Sequence, residues 1–182
     1  MRLIETPIAG CYEIVQDSFS DARGKFVKTF HEDAFRTLGL KTDWREEYFS
    51  VSAKGVLRGM HFQLPPHEHA KLVTCLQGLA HDVVLDLRHG SPSFGCSHSW
   101  ELSQDSARAI YIPAGVAHGF LSLSEGCLMY YKVTSIHAAS ADAGVHWDSF
   151  GHSWPVDHPI LSDRDTRHPE FTFFVSPFTW RG

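Results

Sequence analysis

Short runs of β-branched and other apolar residues, each closed by a Gly or Pro turn, set the rhythm of this chain. Leu72-Val73-Thr74-Cys75-Leu76 is followed by Gln77-Gly78, then by His81 to Leu87, and that run is closed by His89-Gly90-Ser91-Pro92. Ala109-Ile110-Tyr111-Ile112 stops at Pro113-Ala114-Gly115, and Cys127 to Val133 makes a further run. Runs of this kind, roughly 8 to 15 residues apart, predict the strands of a sandwich or barrel. A single helix is predicted over Glu32 to Leu38, ended by Gly39. After Trp147 the chain turns polar and rich in Pro and His, which predicts irregular structure packed on the barrel. The expected fold class is all-β. Successive strand residues point to opposite faces, so only one of Tyr130 and Tyr131 can face an interior pocket.

Composition narrows the class without naming a function. A length of 182 residues predicts one domain, residues 1–182, with a sizeable core. Apolar residues at 43% and charged residues at 20% exclude a disordered or fibrous chain. A formal net charge of -5 offers no basic surface for nucleic acid or an anionic membrane. No apolar run approaches the ~18 residues that span a bilayer. Met1 to Glu5 carries an acid, and Pro7 follows, where a signal peptide would need its apolar stretch, so the expected location is cytoplasmic. Cys11, Cys75, Cys96 and Cys127 are too few and too scattered for a disulfide scaffold. The 13 histidines draw more attention, and their positions must decide what they mean.

Two segments carry candidate chemistry. In Leu57-Arg58-Gly59-Met60-His61-Phe62-Gln63, followed by Lys71, a fixed cation, a titratable base and a second cation lie close together. A core histidine with a salt-bridged arginine is the plainer reading of the same residues. The second segment, Ile112-Pro113-Ala114-Gly115-Val116-Ala117-His118, resembles the PxGxxH turn of the cupin barrel, in which the histidine points into the barrel mouth. His67-Glu68-His69 supplies the HxH of the other cupin motif, but Val73 stands where its acidic ligand belongs. A metal cupin using His67, His69 and His118 stays open on this evidence.

Taken together, the two segments with Asp82 to Pro92, Tyr131-Lys132, Trp154-Pro155 and Leu161-Ser162-Asp163-Arg164-Asp165 resemble, in order and spacing, the nucleotide-sugar 3,5-epimerases typified by dTDP-4-dehydrorhamnose 3,5-epimerase. The resemblance runs from about Ile4 to Asp165. It implies a cupin-type jelly-roll barrel with short peripheral helices, working without a metal or other cofactor. It also implies a homodimer in which an N-terminal strand reaches the partner's site. The implied substrate is a nucleoside-diphosphate 4-keto-6-deoxy sugar, whose C4 ketone acidifies the hydrogens at C3 and C5. Removing one proton and returning it to the opposite face inverts the centre, which needs a base, an acid across the ring and positive charge at the enolate oxygen.

Position by position, the resemblance makes His61 the base and Asp165 its carboxylate partner, Tyr131 the acid and Lys71 the donor to the C4 oxygen. His118 is implied at the sugar, Arg23 and Arg58 at the diphosphate, and Arg164 among the substrate contacts. Four departures mark this chain. Lys28 stands where the family usually has Glu, and Glu46-Glu47-Tyr48 where it has Gln-Asp-Asn. His137 replaces a second Tyr six residues past Tyr131, and Asp142 replaces a Glu. Acceptor-only Glu46 beside donor-only Lys28 would suit cytosine better than thymine, unless the two pair with each other or face solvent. The expected activity is thus epimerisation at C3, C5 or both; the alternatives are a C3-only or C5-only epimerase on a CDP-linked or other non-dTDP 4-keto sugar, and the metal-dependent cupin using His67, His69 and His118.

Overall fold

The computed structural model describes residues 1–182. Thirteen strands dominate it: β1 (Arg2–Glu5), β2 (Tyr12–Val15), β3 (Asp17–Asp21), β4 (Gly24–Lys28), β5 (Glu46–Ser52), β6 (Leu57–Gln63), β7 (Lys71–Gln77), β8 (Leu79–Asp86), β9 (Ser97–Ser103), β10 (Arg108–Ile112), β11 (Val116–Ser122), β12 (Cys127–Val133) and β13 (Asp142–Gly144). They form a six-stranded sheet ordered β1-β2-β10-β7-β12-β5 and a five-stranded sheet ordered β13-β6-β11-β8-β9, with β3-β4 a separate hairpin. Every strand pairing is antiparallel. The fold is an all-β, cupin-type jelly roll. Its one α-helix, α1 (Glu32–Thr37), begins with an acidic first turn that suits a helix N-terminus and ends before Gly39 at φ +74. Two 3-10 turns, Asp165–Arg167 and Phe171–Phe173, lie in the otherwise irregular segment after Trp147. No helix is long and apolar enough to cross a membrane.

Alternation along the strands sorts side chains between three apolar layers. On β8, Ala80 and Val84 join the cluster between the sheets, with Ile110, Phe120, Met129 and Tyr131. Val83 and Leu85 face the other way, into a cluster covered by Phe171, Phe174 and Phe178 of the C-terminal segment. A third cluster packs Phe35 of α1 against Leu72 and Tyr111. Because the five-stranded sheet is buried on both faces, β8 reads as a continuous apolar run broken by acids. The C-terminal segment is therefore what lets the sheet carry apolar residues outward.

One irregularity positions the site. β6 and β11 pair His61 with His118 and Arg58 with Phe120, so three steps on β6 match two on β11. The extra residue of this bulge turns both Arg58 and His61 inward, which regular alternation forbids. Gly59 makes the bulge possible. Its φ is +158, and a Cβ there would stand 2.7 Å from the Gly119 Cα.

Candidate active site

A cavity opens between the sheets at one end of the barrel. From the five-stranded sheet come Arg58, His61, Gln63, His118 and Phe120; from the six-stranded sheet come Glu46, Tyr48, Ser50, Lys71, Tyr131 and Val133. Phe62, His69, His137, Asp142 and Arg164 complete the lining. His61 and Tyr131 thus enter from opposing sheets. Tyr130, next to Tyr131, faces away and donates its hydroxyl to Glu47 Oε2 at 2.6 Å.

His61 is bonded through Nε2 to Asp165 Oδ1 at 2.6 Å. With the proton on Nε2 for that bond, Nδ1 is the ring's basic nitrogen. Burial pushes the imidazole below its ordinary pKa; Asp165 opposes this, and the charges of Arg164 and Lys71 add to it. His61 is therefore neutral, and able to accept a proton, at neutral pH. Asp165 is itself buried, which disfavours its charge, yet contacts with His168, His61 and Arg164 outweigh burial and hold it well below the usual carboxylate range. Arg164 is ion-paired with Asp142, and its Nη2 lies 2.8 Å from His61 Nε2; with that nitrogen's hydrogen given to Asp165 it has no lone pair for the guanidinium, so Arg164 acts on the ring through its charge alone.

On the other wall, burial keeps the Tyr131 phenol well above its usual pKa, with the Asp82 charge adding to the effect, so it is a protonated donor. Tyr48 stacks on it, ring centroids 4.9 Å apart, and is pushed up to about 12 by burial and by Glu46 and Asp142. Lys71 donates from Nζ to the His61 carbonyl at 3.1 Å. Burial draws its pKa down to about 8, against the pull of Asp142 and Asp82, which leaves it largely cationic at pH 7. This combination of a neutral imidazole, a neutral phenol and a buried ammonium can remove a proton, return one from the far side and stabilise an oxyanion between them.

The structure brings together most of the residues picked out in the sequence, but not all. Arg23 lies on the exposed β3-β4 hairpin with its side chain 90% accessible, paired with Asp21, and lines no part of this cavity. Lys28 is exposed at the end of the same hairpin and does not meet Glu46, whose Oε2 instead accepts the backbone N–H of His137 at 2.7 Å. Within one chain, then, the expected Lys28–Glu46 neighbourhood is not formed. The three-histidine metal set is not assembled either. His67 is exposed in the turn before β7, Nδ1 of His69 is shared by Ser135 and Gln63, and His118 Nε2 is held by Asp82 Oδ2 at 2.8 Å.

Ser50, Gln63, Phe120 and Val133 of the lining went unassigned in the sequence, as did two ionisable neighbours of the site. Asp82 is fully buried and orients His118 from β8, with Oδ1 left unpaired. An acid in the middle of an apolar strand, in step with the inward-facing Ala80 and Val84, was its signal. His168 lies beside Asp165, in a region whose irregularity hid it.

A family model described as dTDP-4-dehydrorhamnose 3,5-epimerase matches residues 5–172. The dTDP-4-dehydrorhamnose 3,5-epimerase of Shigella flexneri is 37% identical over 174 residues, covering 94% of this chain and 96% of that protein. The dTDP-4-dehydrorhamnose 3-epimerase of Streptomyces niveus is 38% identical over 168 residues, 91% of this chain and 81% of the relative. Among solved structures, the Legionella pneumophila dTDP-6-deoxy-D-glucose-3,5-epimerase in complex with dTDP-4-keto-L-rhamnose superposes with a TM-score of 0.94 at 30% identity, covering 100% of this chain and 99% of the other.

Proposed function

The chain belongs to the dTDP-4-dehydrorhamnose 3,5-epimerase family, and from that premise we propose that it epimerises a nucleoside-diphosphate 4-keto-6-deoxy sugar in deoxysugar biosynthesis. The observation that carries this is the opposition of the His61–Asp165 pair and Tyr131 across one cavity, with Lys71 between the walls. His61 Nδ1 takes the proton from C3 or C5, and Asp165 stabilises the imidazolium that forms. Negative charge gathers on the C4 oxygen, where the Lys71 ammonium offsets it. Tyr131 then delivers a proton to the opposite face, and the centre is inverted. Arg58 and Arg164 bear on the diphosphate and the sugar, His118 contacts the sugar, and Glu46, Tyr48, His137 and Asp142 frame it.

The homodimer belongs to the same proposal. Phe19 and Phe26 are exposed on the β3-β4 hairpin, and Phe49 and Val51 on β5, an edge strand. Burying them against a second copy would carry Arg23 and Lys28 to the partner's cavity, where Arg23 would meet the diphosphate and Lys28 the base. We also take residues 1–182 as a single cupin-type epimerase domain and the location as cytoplasmic, which suits four unpaired cysteines.

Proton NMR in D2O with dTDP-4-keto-6-deoxyglucose tests the reading. Loss of both the H3 and H5 signals is the expected result. Loss of one alone makes the enzyme single-centred, as the name of the Streptomyces niveus relative describes that protein, and turns attention to His137. Exchange only with the CDP-linked sugar would assign the base preference to Lys28 and Glu46. No exchange with either overturns the proposed activity.

A further inference from the structure

Asp165 begins the 3-10 turn Asp165–Arg167, and at three residues per turn positions i and i+3 stand in line. His168 accordingly lies over the carboxylate, its Nε2 3.5 Å from Asp165 Oδ1, the oxygen that also takes His61. The two imidazoles meet edge to face, centroids 5.6 Å apart. His168 Nε2 is buried and finds no closer partner. Its place is made for it. Gly144, paired in register with His61, leaves room where a Cβ would stand 2.6 Å from His168 Nε2. The backbone just beyond is pinned by the His146 N–H donating to the Pro169 carbonyl at 2.8 Å. A buried ring nitrogen beside a carboxylate is best satisfied as an N–H donor. The three ligand atoms of His61, Asp165 and His168 lie within 4.8 Å of one another and could in principle share a cation. Arg164 already brings a fixed positive charge to that place, with Nε 3.5 Å from Asp165 Oδ1, which favours a donor over a metal ligand.

We propose that His168 is a positioning residue for proton transfer at His61, donating Nε2–H to Asp165 Oδ1 so that the carboxylate keeps its orientation and shares its negative charge between two imidazoles. This rests on His61 being the base. The charged groups facing His61 are Asp165 and Arg164 from the C-terminal segment and Lys71 from β7, with Asp142 of β13 reaching it through Arg164. If His168 loses its donor, Asp165 is left with Arg164 as its only other partner and turns a larger share of its charge on His61, which then holds its proton more tightly.

The test compares His168→Leu, which removes the donor, with His168→Gln, whose side-chain amide can replace it; His168→Met serves if the leucine variant does not fold. The first readout is the His61 imidazole titration by NMR in the free protein, assigned by its loss in His61→Asn, and it needs no turnover. The second is the acid limb of kcat/KM for ring-proton exchange. The leucine variant should raise the His61 midpoint by about half a pH unit or more and carry the acid limb with it. The glutamine variant should leave both near wild type. An unmoved His61 midpoint in the leucine variant, or a glutamine variant that behaves like leucine, overturns the proposal. A shifted midpoint in the leucine variant, with a wild-type protein that exchanges no ring proton, would support the contact and overturn the proposed activity instead.

Discussion

Replacing Asp165 by Asn tests how the buried carboxylate serves His61, because the change removes charge and keeps volume. The carboxylate oxygen lies 2.6 Å from His61 Nε2, which puts the two charge centres about 4 Å apart once each is averaged over its group. At an effective dielectric of about 20, unit charges at that separation attract by about 4 kcal/mol. That attraction is absent while His61 is neutral and appears as it becomes imidazolium, so it acts on the barrier rather than on substrate binding. At 1.36 kcal/mol per decade, Asp165→Asn should lower kcat by about a thousandfold while leaving KM within about threefold. The pH profile supplies an independent sign. Asp165 raises the His61 pKa against burial, so its loss should move the acid limb of kcat/KM to lower pH even as the rate collapses. Stopped assays of the epimerised product across about pH 4 to 9, which brackets the ordinary His pKa of about 6.5 and its downward shift here, would measure both. A fall in kcat of less than about tenfold, or an acid limb that moves upward, would refute the charge argument.

Other consequences follow from the same geometry. Burial draws the Lys71 pKa down to about 8, so kcat/KM should fall above that pH; Lys71→Gln should abolish this alkaline limb along with most activity, as a pH–rate series would show. Gly59→Ala should destabilise the fold by about 3 kcal/mol through its clash with Gly119 and its positive φ, read as a lowered urea midpoint. Asp86 takes bonds from the Arg88 guanidinium, Ser91 and Ser93 in a buried network, so Asp86→Ala should cost about 3–5 kcal/mol by leaving the arginine unpaired. Asp86 and Asp165 both have depressed pKa values despite their burial. Their stabilisation is present above the unfolded carboxylate pKa of about 4 and is lost as pH falls through the folded values, so acid unfolding should begin below that point.

The strands that could be read in advance were those whose apolar runs end at strong turns. β7, β8, β10 and β12 all fall where the runs from Leu72, His81, Ala109 and Cys127 predict them, and α1 falls on its predicted span. β5 and β9 are harder to see. Glu46–Ser52 and Ser97–Ser103 are largely polar, and it is tertiary pairing, not local pattern, that makes them strands. The hairpin residues Arg23 and Lys28 show a different limit. The resemblance marks them as substrate contacts, but a single folded chain holds them outside its own cavity.

The constellation around His61 depends most on residues without functional groups. Strand alternation read from Arg58-Gly59-Met60-His61 sends the guanidinium and the imidazole to opposite faces, one into the cavity and one into the outer apolar layer. Gly59 and Gly119 let β6 and β11 approach closely enough for the bulge that corrects this. Gly144 likewise opens the space in which His168 stands over Asp165. No titratable side chain carries that information. A chain holding His61, Asp165, Tyr131 and Lys71 with side chains at positions 59 and 144 would keep all four groups and lose the geometry joining His61 to Asp165. That is why the resemblance could point to the side chains proposed for proton transfer, while the glycines that aim them went unmarked.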